Sequence, residues 1–109
     1  MTDEESPRYA LLVISKKRVD ESQQVWVDEG QRFWVVNVPE GWSTQHQAIS
    51  KDAWLDNPPP ADAKVFATKS AARAFGQQWR GDGWCRPKRV IVVRVRARMK
   101  QVFDRWELA

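Results

Sequence analysis

The clearest regularity in the chain is a period-two alternation near its end. From Val90 to Lys100 the odd positions carry Ile91, Val93, Val95, Ala97 and Met99, and the even positions from 94 onward carry Arg94, Arg96, Arg98 and Lys100. Successive side chains of a strand point to opposite faces, so the pattern predicts a strand over 88–100 with one apolar and one cationic face. The apolar face is expected to lie on the core beneath a helix. Val90 and Val92 share the cationic face, which predicts an apolar cover over that part of it.

Elsewhere the pattern predicts further elements. Tyr9 to Ile14 is apolar without alternation, which suits a strand buried on both faces near the middle of a sheet, spanning 8–17. Val25-Trp26-Val27 predicts a short strand over 24–28. Arg32-Phe33-Trp34-Val35-Val36-Asn37-Val38, rich in aromatic and β-branched residues, predicts one over 32–38. Asp28-Glu29-Gly30-Gln31 reads as a hairpin loop between these two, with Gly30 free to take positive φ. Pro39-Glu40-Gly41 ends the third strand. Ala48, Ile49, Ala53, Trp54 and Leu55 are spaced as in a short amphipathic helix near 45–55, with Ser50 a cap for a shorter version of it. Asp56-Asn57-Pro58-Pro59-Pro60 must be extended, because each Pro fixes its own φ and restricts the residue before it. After a short extended piece at Lys64–Ala67, Thr68 suits the N-cap of a helix over 69–80, stopped by Gly81 and Gly83. Ala71, Ala72, Phe75 and Trp79 form its apolar stripe, with Lys69, Arg73, Gln77 and Arg80 lying off it.

These elements amount to one α+β domain over 8–109, a mainly antiparallel sheet of about four strands with one main helix packed on one face. Residues 1–7 read as a disordered tail, since Asp3, Glu4, Glu5 and Pro7 come with almost nothing apolar to anchor them. A length of 109 residues suits one core. Cys85 is the single cysteine and forbids an intramolecular disulfide; with no signal peptide visible at Met1–Arg8, a reducing, cytoplasmic home is expected. No run is long and apolar enough for a membrane helix.

Charge is unevenly spread. Residues 1–60 hold six Lys/Arg against ten Asp/Glu, whereas residues 61–109 hold twelve against four, so the net +4 hides an acidic first half and a basic second half. Either one half of the fold neutralises the other, or the basic half faces a polyanion.

The strand of spaced arginines is where such a partner would sit. Arg94, Arg96, Arg98 and Lys100 recur about every 6.7 Å and span roughly 20 Å. Arg86, Lys88 and Arg89 lengthen the row at one end and Arg105 at the other. Backbone phosphates repeat at a comparable interval, and a guanidinium grips phosphate through two donors, so the expected partner is nucleic acid or a nucleoprotein complex. A structural reading stands beside it: Asp20, Glu21, Asp28 or Glu29 on neighbouring strands pair with the arginines, or the long stems cover apolar sheet. Seven Trp offer another surface. Trp42, Trp84 and Trp106 lie in loops or at the chain end and are the candidates for docking onto a partner protein.

Catalysis has little to stand on. His46 and Cys85 are the only such pair, no catalytic or metal-ligating set is expected, and Gly81-Asp82-Gly83 follows a helix instead of opening one, unlike a phosphate loop. No cofactor is expected either.

Lys64-Val65-Phe66-Ala67-Thr68, Ala71-Ala72-Arg73-Ala74-Phe75, Trp79 and the Arg/Val strand over 89–98 resemble many small uncharacterised proteins of bacteriophages and prophages. The resemblance covers about a third of the chain. It implies a binding protein, directed at nucleic acid or at a host factor in the manner of anti-CRISPR proteins, and carries over no functional residue.

Overall fold

The computed structural model describes residues 7–41, 48–53, 58–81 and 85–109. Its elements in chain order are β1 (Arg8–Ser15), β2 (Arg18–Val19), β3 (Val25–Val27), β4 (Arg32–Asn37), β5 (Ala48–Asp52), β6 (Val65–Phe66), α1 (Lys69–Gln78), β7 (Pro87–Lys100) and β8 (Val102–Leu108). Five strands form an antiparallel sheet in the order β5-β4-β1-β7-β8, to which β6 adds by pairing with β1, and the whole curls into a half-barrel. The α+β class, with one helix among the described residues, matches the sequence expectation. The strand number does not: β5 and β8 are additional strands, and the extended piece at Lys64–Ala67 joins the sheet as β6.

β1 sits at the centre because it is apolar on both sides. Leu11 and Val13 point to one face and Ala10 to the other, all fully buried. Burial of side chains such as these contributes about 1.5–3 kcal/mol each. β1 pairs with β7 along its whole length and with β4 only over Leu12–Ile14. Where β1 and β4 part, the segment at 62–66 fills the gap: Ala63 bridges Val36 on one side, and Val65 and Phe66 pair with Ala10 and Tyr9 on the other. Splaying and infilling bend the sheet.

The region expected to be helical near 45–55 is a strand where it is described. Ala48 to Asp52 pairs with Asn37 to Phe33, and the helical spacing yields to the unpaired edge that β4 offers. The remainder of that predicted helix lies outside the described residues, as does the tail apart from Pro7. The predicted strand over 24–28 exists but leaves the main sheet, pairing with β2 in a separate ribbon. Asp28–Gln31 is therefore a turn between sheets and not a hairpin, although Gly30 does take φ +85°. Buried Ser15 anchors this turn: its hydroxyl donates to the Asp28 carbonyl at 2.6 Å and its own carbonyl accepts from Gly30 at 3.0 Å.

α1 begins as expected, with the Thr68 hydroxyl accepting from the Ala71 amide at 3.0 Å. Its buried contacts come from Ala72, Phe75, Gly76 and Trp79, whereas Ala71 is exposed. Trp79 donates its indole N–H to the Ala48 carbonyl at 3.3 Å, tying the helix end to β5.

The helix covers the face of β7 opposite to the one expected. Val90 and Val92 pair with Val13 and Leu11 and pack in the cluster under α1. Val93 and Val95 belong to a second cluster on the other face, with Ala10, Trp34, Val36 and Trp106. Gly76 is the physical reason, because even a Cβ there would stand 3.1 Å from Val90, so the absence of one lets the helix seat directly on this strand. The cationic positions beyond Val92 thus share the helix face but lie past the helix contact.

Candidate nucleic-acid interface

β7 is the spine of the site. Its 14 residues extend about 44 Å at the usual strand rise, most of the 54 Å length of the molecule. It pairs with β1 over Pro87–Val95 and with β8 over Val95–Lys100, so its second half projects with β8 as a two-stranded ribbon.

Alternation holds through that ribbon. A bulge occurs where Arg98 and Met99 face Arg105 and Phe103, and its extra residue, Asp104, belongs to β8. The period of β7 is therefore unbroken from Arg89 to Lys100. Arg94, Arg96, Arg98 and Lys100 emerge on one face, all exposed, and Arg105 joins them from directly opposite Arg98.

The ion pairs on this face converge on a single carboxylate. Glu107, opposite Arg96, lies 3.6 Å from Arg96, 3.4 Å from Arg98 and 3.5 Å from Arg105. Such long, solvent-exposed pairs contribute about 0–1 kcal/mol each, and one negative charge cannot offset three positive ones. Among the described residues Arg94 and Lys100 make no ion pair. The cationic excess therefore remains on the surface.

None of the four acidic residues expected as partners reaches the ladder; the counter-charge is Glu107, from the basic half itself. The acidic half does reach Lys88, whose ammonium donates to Glu29 at 2.6 Å. That bond and the nearby charge hold the Glu29 carboxyl below its ordinary range. Asp20 is spent on its own turn, accepting from the Ser22 hydroxyl at 2.7 Å, the Gln24 amide at 2.8 Å and the Ser22 amide at 2.9 Å. Those bonds, the Ser22 hydroxyl foremost, lower its pKa as well.

Arg86, Lys88 and Arg89 do not extend the ladder. Arg86 precedes β7, Lys88 is the extra residue of a bulge between Pro87 and Arg89, and Arg89 pairs with Ile14 on the opposite face. Lys88 and Arg89 instead border a groove of about 540 Å³ between α1 and β7, together with Lys69, Arg73 and Arg80 of the helix. The helix cations were legible as residues lying off the apolar stripe, but nothing in the sequence placed them beside β7.

Of the docking tryptophans, Trp42 and Trp84 lie outside the described residues, as does His46. Trp106 is half-buried against the second cluster, its ring 4.9 Å from that of Phe103. Among the described tryptophans Trp26 is the exposed one, at 48%, with Arg18 stacked 5.2 Å from its ring. Cys85 is fully buried. Apolar side chains do reach solvent on the other face and at the tip of the ribbon, at Met99, Val102, Phe103 and Leu108.

No family model, curated protein or solved structure matches the chain. Among the described residues no helix is long and apolar enough to cross a membrane. The fold and surface together define a curled antiparallel α+β domain with a cationic ribbon along one edge.

Proposed function

We propose that this protein is a non-catalytic module that binds nucleic acid through the phosphates, using the face formed by Arg94, Arg96, Arg98, Lys100 and Arg105. One observation carries the reading: these five cations share an exposed ribbon face whose ion pairs all fall on the one carboxylate of Glu107. Spacing supports it too, since cations about 6.7 Å apart along a strand present a row to a linear polyanion. The arginines lie over a ribbon whose opposite face is apolar, so their orientation is fixed by burial of Val95 and packing of Trp106 rather than by a partner.

Binding of this kind reads charge and not sequence. Affinity for DNA of unrelated sequences is therefore expected to be similar and to fall steeply with salt. The test is a titration of labelled oligonucleotides at several salt concentrations with the wild-type chain and with Arg94→Gln/Arg96→Gln/Arg98→Gln. A shallower salt dependence in the variant supports the reading, and identical binding by both proteins removes it.

A further inference from the structure

The other half of β7 has an unpaired edge. Ala109 donates its amide to the Arg94 carbonyl at 3.2 Å, so the backbone groups of even-numbered residues in this part of β7 point away from β1. Those of Val90 and Val92 point the same way, and among the described residues no strand pairs with them. Unpaired strand groups are a template onto which an extended segment can add. The groove between this edge and α1 has Leu11 and Val90 in its floor and Lys69, Arg73, Arg80, Lys88 and Arg89 along its walls, and among the described residues its lining contains no carboxylate. Glu29 offsets Lys88 alone.

We propose that this groove receives an extended acidic segment of a partner protein, which adds to β7 as a strand in line with β8. Pairing with Val90 and Val92 completes the sheet edge. Residues of the segment opposite Val90 and Val92 face α1, so carboxylates there meet Lys69, Arg73 and Arg80. Residues between them lie beside Ile91 on the other face, where apolar side chains fit. A phosphate backbone would satisfy the cations but not the strand edge, which is why a peptide is the better occupant. The proposal uses the half of β7 that the ladder leaves free and does not depend on nucleic-acid binding.

The probe is a fluorescein-labelled peptide of alternating Glu and Val, compared with one of alternating Lys and Val and with a single-stranded oligonucleotide. Anisotropy reports binding to the full chain, and amide hydrogen exchange by NMR reports its place. The Glu–Val peptide is expected to bind and to slow exchange at Val90 and Val92 by about tenfold or more, while the Lys–Val peptide does neither. Arg73→Glu with Arg80→Glu, at exposed helix positions, is expected to abolish that binding, whereas Arg94→Gln/Arg96→Gln/Arg98→Gln leaves it unchanged. Failure of the Glu–Val peptide to bind at about 1 mM overturns the proposal. So does binding without protection at Val90 and Val92, or protection of those amides by the oligonucleotide instead.

Discussion

Arg96 stands directly across from Glu107 in the β7–β8 ribbon, 3.6 Å from its carboxylate, and shares it with Arg98 and Arg105. What the register presents as a cross-strand ion bridge is one acid among three bases. The face stays cationic, and under the proposed function Glu107 opposes anion binding more than it stabilises the ribbon.

Glu107→Gln follows from this. Removing the carboxylate that the three arginines share is expected to tighten binding to nucleic acid and steepen its salt dependence, because guanidiniums released from Glu107 become available to phosphates. Stability should change by no more than about 1 kcal/mol, the pairs being long and exposed. Chemical denaturation and oligonucleotide titration of the same preparation check both.

Gly81 and Gly30 separate space from strain. Both take positive φ, +86° and +85°, but a Cβ on Gly81 would lie 2.1 Å from the Cys85 carbonyl oxygen, while one on Gly30 meets nothing within 4 Å. Gly30→Ala is expected to cost about 1 kcal/mol, the penalty of left-handed backbone alone. Gly81→Ala should cost several times as much, since the backbone of the loop must move. Thermal unfolding of the two variants side by side measures the difference.

Asp20 makes the β2–β3 ribbon acid-sensitive. Its folded pKa is lowered, chiefly by the Ser22 hydroxyl, so its stabilising contribution is present above the unfolded value and is lost as pH falls through the folded one. The carboxylate also accepts from the Trp26 indole N–H at 3.3 Å, and that resonance reports the state of the turn. In the wild-type chain the indole signal should shift at a lower pH than an unperturbed aspartate would give. In Asp20→Asn the acid-dependent shift should disappear, and a persisting shift would assign it to another group.

Elements whose pattern is local and strong were legible. The apolar run of β1, the aromatic and β-branched run of β4, the alternation of β7 and the Thr68 cap of α1 each carry their own signal. β8 does not, because the bulge at Asp104 breaks the period of Val102–Leu108, and without β8 neither Glu107 nor Arg105 could be set against the ladder. β6 is only two residues long and owes its strand character to the gap between β1 and β4. The face covered by α1 is illegible in the sequence for a related reason. Both faces of β7 near Val90 are apolar, and the choice between them rests on the fit of Gly76, a contact that no periodicity encodes.

The central claim is that the cations of the ribbon face hold phosphates, and the salt dependence of binding tests it most directly. For duplex DNA the slope of log affinity against log salt changes by about 0.9 per phosphate contact, and for single strands by about 0.7. Arg94→Gln/Arg96→Gln/Arg98→Gln is therefore predicted to flatten the slope by about 2 to 3 relative to the wild-type chain. An unchanged slope, with the variant folded, would contradict the account.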